Sequence, residues 1–88
     1  MAWTIQYSKL AEKQLSKLAP EVELRIRSFM SDRVASLETP RVLAKKLSGP
    51  YEDLLRYRVG DYRVVCRIHD HILQILVVKV GHRREVYD

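Results

Sequence analysis

Cysteine occurs once, at Cys66, so neither an internal disulfide nor a multi-cysteine metal site can form. The three glycines, Gly49, Gly60 and Gly81, stand alone, which leaves no glycine-rich loop to cradle phosphates. The longest apolar run, Ile72 to Val80, is broken by Gln74 and Lys79 and is far too short to span a bilayer, so no membrane is expected as a partner. The opening MAWTIQYSKL lacks a charged stretch followed by an apolar one, so no signal peptide is expected and a cytoplasmic location is. His69, His71 and His82 do not stand at zinc spacing with a second soft ligand. The acids Asp53, Asp61, Asp70, Glu85 and Asp88 are scattered, with no pair set to hold Mg²⁺ for a two-metal nuclease. No strained turn supports a serine nucleophile. The sequence therefore predicts neither a metal nor a cofactor.

What the chain does hold is apolar content and positive charge. Its 88 residues are 47% hydrophobic and carry a formal net charge of +5. That predicts one domain over residues 1–88, with a modest core and a preference for acidic partners.

Most of the pattern lies in the last third, Leu54 to Tyr87. Three runs alternate with period two, separated by the polar pairs Gly60-Asp61 and His69-Asp70. A two-residue hairpin with glycine first would be a type II′ turn. It sets Val59 across from Tyr62, Arg58 from Arg63, Tyr57 from Val64 and Arg56 from Val65. One face then carries Leu55, Tyr57, Val59, Tyr62, Val64, Cys66 and Ile68 as core, with Cys66 a small buried hydrophobe. The other carries Arg56, Arg58, Arg63 and Arg67. Arginines set directly opposite repel unless they share an anion. The face reads either as an ordinary solvated surface or as a seat for a polyanion.

Earlier in the chain, Trp3 to Tyr7 alternates as a first strand, and Ser8 suits an N-cap. Leu10, Ala11, Leu15 and Leu18 recur at helical spacing from Lys9 to Leu18, while Lys9, Lys13 and Lys17 form a basic stripe on another side. By itself that stripe reads as a solvated helix face. Pro20 restarts the chain, and Val22, Ile26, Phe29, Met30, Val34 and Leu37 make the apolar stripe of a second helix reaching about Glu38. The pair forms a helical hairpin covering one sheet face. Arg41 to Pro50 reads as a connector anchored by Leu43 and Leu47, with Lys45 and Lys46 exposed and a turn at Gly49-Pro50. Ile72 to Val80, apolar on both faces, reads as a central strand. A two-residue turn at His69-Asp70 puts Leu73 and Ile75 on the core face and Leu76 and Val78 on the arginine face. The alternation breaks at Lys79-Val80-Gly81, and His82 to Tyr87 reads as a tail leaving the sheet. The expected class is α+β, in the order β-α-α-β-β-β. The two helices pack on one face of a mainly antiparallel four-stranded sheet.

A cationic face beside a tail with His82, Arg83 and Tyr87 suits one metal-free chemistry. RNA carries its own nucleophile, the 2′-hydroxyl, next to the scissile phosphate. The enzyme must supply a base, positive charge on the phosphorane oxygens and an acid for the departing 5′-oxygen. Arginine gives fixed charge, histidine exchanges a proton near neutral pH, and tyrosine stacks or donates.

The element order, with LLRYRVGDYRVVCRI and VKVGHRREVY, resembles the RelE/ParE toxin superfamily of type II toxin–antitoxin systems, on the RelE side. The resemblance covers nearly the whole chain. It implies a RelE-like fold and ribosome-dependent, metal-independent cleavage of messenger RNA in the A site by 2′-hydroxyl attack. It also implies a cognate RelB-like antitoxin, contact with ribosome, mRNA and rRNA, and operator DNA reached through the antitoxin. By position, Arg63 and Arg83 match the family's phosphate-binding arginines, Tyr87 its C-terminal tyrosine, and Arg56 a basic residue on the preceding strand. Two departures stand out: Leu54 occupies the place of a second lysine that some relatives use, and Arg56 that of a lysine proposed as base. Arginine stays charged and is a poor base, which leaves His82 as candidate base, or else as a surface histidine that orients the tail. Lys9, Lys13, Lys17, Lys45 and Lys46, with Arg58, Arg67 and Arg84, are the expected RNA-backbone contacts. The alternatives are a ParE-type gyrase inhibitor and a binding module that has lost catalysis.

Overall fold

A computed structural model of the chain describes residues 3–47 and 54–82. Strand β1 (Thr4–Tyr7) leads into helix α1 (Lys9–Ser16) and helix α2 (Pro20–Ser28). Two-residue strand β2 (Lys45–Lys46) follows, then β3 (Leu55–Val59), β4 (Tyr62–His69) and β5 (Gln74–His82). The five strands form one mixed sheet in the order β1-β5-β4-β3-β2, with β1 parallel to β5 and every other pairing antiparallel.

Local chemistry explains the boundaries. The Ser8 hydroxyl accepts from Ala11 N at 3.0 Å and so caps α1. Proline at the start of α2, with Glu21 and Glu23 in its first turn, suits the positive end of the helix dipole. The second helix does not run on unchanged to Glu38. It widens to π geometry over Phe29–Val34, and Ala35 N donates to Met30 O at 2.9 Å. This widening keeps Ile26, Met30 and Val34 all fully buried. Arg27 clamps the hairpin by pairing with Glu12 at 2.6 Å and Glu23 at 3.0 Å, and its guanidinium lies 4.8 Å from the Tyr7 ring.

The main core lies between helices and sheet. Ala11, Leu15, Ile26, Met30 and Val34 meet Tyr57, Val64, Cys66, Ile75, Val77 and Val80 there. Tyr57 donates to the Pro40 carbonyl at 2.8 Å and meets Phe29 edge-on. Leu10 does not join this core. It is 50% exposed, because α1 buries the narrower stripe of Ala11 and Leu15. A second, smaller core forms on the other face of the sheet, where Leu47, Leu54 and Val65 pack with Val78.

The first hairpin follows the expected register at every pair from Arg56↔Val65 to Val59↔Tyr62. Gly60 has φ +60° while Asp61 does not enter positive φ, as a type II′ turn requires. Three expectations are corrected. The sheet has five strands, not four: Lys45 and Lys46 pair with Arg56 and Leu55, a rung too short to leave a period in the sequence. The second turn is a 3₁₀ segment, Asp70–Ile72, closed by Leu73 at φ 51° and ψ 49°. His69-Asp70 lacks the glycine that a two-residue type II′ turn wants at its first position, and Arg41 holds Asp70 through two 2.9 Å bonds. Strand β5 then runs two residues past Val80, so His82 belongs to the sheet and not to a tail.

Candidate nucleic-acid interface

Residues paired directly across an antiparallel sheet share a face. Lys45 pairs with Arg56 and Arg56 with Val65, while Arg58 pairs with Arg63, and Arg63 with Gly81. The structure therefore gathers Lys45, Arg56, Arg58, Arg63 and Arg67 on the face away from the helices. Burial, then the positive charges of Arg63 and Arg58, lower the Arg56 pKa from its ordinary value. Three nitrogens on this face, Arg56 Nη1, Arg63 Nε and Arg67 Nε, are covered from solvent. Guanidinium groups crowded on one face in this way give it a positive potential.

A register jump in the β4–β5 ladder sets the rest of the face. Val65 pairs with Lys79 but Cys66 pairs with Val77, so Val78 and Lys79 together oppose Val65. This is a β-bulge, a device that re-aims side chains. Strict alternation from buried Ile75 and Val77 would turn Lys79 toward the helices and His82 toward the arginines. With the bulge, Lys79 joins the arginine face, Val80 enters the core at 2% exposure, and His82 pairs with Tyr62 on the helix side. The His82 ring meets the Tyr62 ring edge-on, with centroids 5.5 Å apart. Helix α1 satisfies the bulge's backbone: Ser8 Oγ donates to Val78 O at 2.6 Å, and Val80 N donates to Gln14 Oε1 at 2.6 Å.

The remaining expected contacts divide between the two sides. Lys9 and Lys13 are exposed on α1. Lys17 lines a cavity of about 380 Å³ with Tyr62 and His82 on the helix side. Lys46 joins Arg41, Arg67 and His69 around a cleft of about 660 Å³ at the β2 edge. Arg83, Arg84, Tyr87 and the Gly49-Pro50 turn lie outside the described residues. The residue missed in the sequence is Lys79. Its signal was the broken alternation at Lys79-Val80-Gly81.

Fold and face together define a small α+β domain whose sheet carries a cationic surface on the side away from the helices. A family model described as the ParE toxin of type II toxin–antitoxin system, parDE, matches residues 5–87. The mRNA interferase toxin RelE of Escherichia coli is 32% identical over 90 residues, covering 99% of this chain and 92% of that protein. Toxin RelG of Mycobacterium tuberculosis is 26% identical over 89 residues, covering 99% and 98%. The toxin–antitoxin complex RelBE2 of the same organism matches in fold, with a TM-score of 0.86 at 24% identity over 97% of this chain and 95% of that one. The chain belongs to the RelE/ParE superfamily of type II toxin–antitoxin toxins and is of the RelE type.

Proposed function

We propose that the protein is a ribosome-dependent endoribonuclease that cuts messenger RNA in the A site without a metal and so arrests translation. The observation that carries this reading is the Arg58–Arg63 pair, set directly opposite on a face already holding Arg56. Like charges set opposite in this way favour an anion bound beside them, and a scissile phosphate supplies one. The name of the Escherichia coli relative, an mRNA interferase toxin, supports the same class of substrate. In this reading the 2′-oxygen attacks phosphorus as the bond to the 5′-oxygen breaks. Arg63 and Arg83 neutralise the phosphorane, Arg56 holds the neighbouring backbone, and Tyr87 stacks on a codon base. Lys9, Lys13, Lys17, Lys45 and Lys46, with Arg58, Arg67 and Arg84, contact RNA phosphates. Ribosomes place this work in the cytoplasm.

A RelB-like antitoxin with an acidic segment is the expected inhibitor, since carboxylates would relieve the repulsion on the arginine face. The toxin would reach operator DNA through that antitoxin.

The test is a primer-extension map of a translated transcript after induction, alongside purified protein acting on ribosome-held and naked RNA. In-frame cuts within codons, dependent on ribosomes and indifferent to EDTA, are expected. EDTA-sensitive cutting of naked RNA would overturn the reading. The family model carries the ParE description, so gyrase inhibition is the second reading, and gyrase-linked DNA breaks without mRNA cuts would select it.

A further inference from the structure

We infer that Lys79 is a third cation on the scissile phosphate, placed there by the β-bulge at Val78. The inference rests on the cleavage reading above. Gly81, the cross-strand partner of Arg63, puts no side chain on the arginine face. Lys79 lies two residues back on the same strand and the same face, about 7 Å along it, and Arg63 lies about 5 Å across. Arg56 stands on the far side of Val65, roughly 10 Å from Lys79 across two strand spacings. A phosphoryl group seated over Gly81 therefore meets Arg63 and Lys79 together, with Arg58 beyond Arg63 in the same row. The apolar cluster of Leu47, Leu54, Val65 and Val78 lies on the same sheet face, with Val65 directly across from Lys79, and lowers the local dielectric there.

The bulge gives this placement its meaning. Removing it would put Val80 on the arginine face and drive Lys79 toward the core, so the irregularity exchanges a valine for an ammonium at this point. Ser8 and Gln14 hold the displaced backbone from α1, which makes the irregularity a built feature of the fold. As the 2′-oxygen bonds to phosphorus and the 5′-oxygen departs, negative charge grows on the non-bridging oxygens. The Lys79 ammonium donates hydrogen bonds to one of them and exchanges no proton. The proton lost by the 2′-hydroxyl is balanced by the one gained at the 5′-oxygen.

Single-turnover cleavage of ribosome-held mRNA should be measured for wild type, Lys79→Ala, Lys79→Arg and Arg63→Ala. Ribosome co-sedimentation and urea midpoints are followed in parallel. Lys79→Ala should lower the saturating rate by about 10²-fold, with ribosome binding and stability little changed, and Lys79→Arg should recover most of it. A wild-type rate in Lys79→Ala overturns the inference. So does a loss that tracks ribosome binding or unfolding, or an Arg variant as weak as Ala. Wild-type protein that leaves the message whole sinks the cleavage reading, while loss in Arg63→Ala alone sinks only the role of Lys79. Independently of cleavage, titrating inorganic phosphate should shift the Lys79 side-chain methylene signals by NMR, and Arg63→Ala should weaken that shift. An unmoved signal also overturns the inference.

Discussion

Ser8 and Val78, 70 residues apart, are joined by a 2.6 Å hydrogen bond from the Ser8 hydroxyl to the Val78 carbonyl. The same oxygen accepts from Ala11 N, so one side chain both starts α1 and holds the bulge in β5. Ser8→Ala removes the cap and leaves a part-buried carbonyl without its donor. The expected cost is about 1–2 kcal/mol in urea unfolding, with Ser8→Thr closer to wild type. Unchanged stability in Ser8→Ala would show that water replaces both contacts at no cost.

The first hairpin was legible because its determinants are local. Gly60 supplies positive φ, and the alternation from Leu55 to Ile68 fixes which side of each strand is buried. The bulge was not legible, since the groups that satisfy it, Ser8 and Gln14, come from a helix about seventy residues earlier. Its consequence reaches the site. Period alone places Arg56, Arg58, Arg63 and Arg67 on one face, but it leaves Lys79 out and sends His82 into a tail beyond the sheet. Strand β2 escaped notice because two residues cannot display a period, and its partner β3 alone reveals it.

Arg63 should matter more than Arg58, although the two face each other. Arg63 sits on β4 between Arg58 and Gly81, and Arg58 is the more exposed. Arg63→Ala should slow single-turnover cleavage by about 2–4 kcal/mol in activation free energy, with ribosome affinity changed less. Arg56→Lys should stay within a few-fold of wild type, because it keeps the charge beside Val65. Toxicity on induction gives the same ranking in cells. Full toxicity of Arg63→Ala would remove the phosphate assignment.

Alkaline pH should destabilise the protein through two groups in the main core. Burial raises the Cys66 thiol and the Tyr57 phenol well above their ordinary pKa values, and Tyr57 also donates to Pro40. In the native state both stay protonated, while the unfolded chain loses these protons above about pH 8.5 and 10 respectively. Their contribution is therefore complete below those values and is lost as pH rises past them. Each group removes up to about 1.4 kcal/mol per pH unit. Urea midpoints measured from pH 7 to 11 should fall, and Cys66→Ala should show a shallower decline between pH 8.5 and 10. An identical slope in the two proteins would mean that the thiol does not govern that interval.

His82 offers the sharpest contrast between the chemistry its type suggests and the place it occupies. A histidine beside a phosphate-binding arginine is an attractive general base, and a rate that rises with pH would be its signature. Yet Gly81, not His82, faces Arg63, and the His82 ring packs edge-on against Tyr62 on the helix side. Turning it to the arginine face needs a one-residue slip, which would also expose Val80 and disconnect Gln14. His82→Ala should therefore leave the shape of the pH–rate profile unchanged and lower the rate only a few-fold. Loss of the aromatic contact should cost about 0.5–1.5 kcal/mol of stability. Tyr62→Ala, which removes the other ring, should give a similar small rate change. The deciding measurement is single-turnover cleavage between pH 5.5 and 8.5 for wild type and His82→Ala. A pH-dependent rise present in wild type and absent from the variant would return the base role to His82 and require the strand end to rearrange when RNA binds.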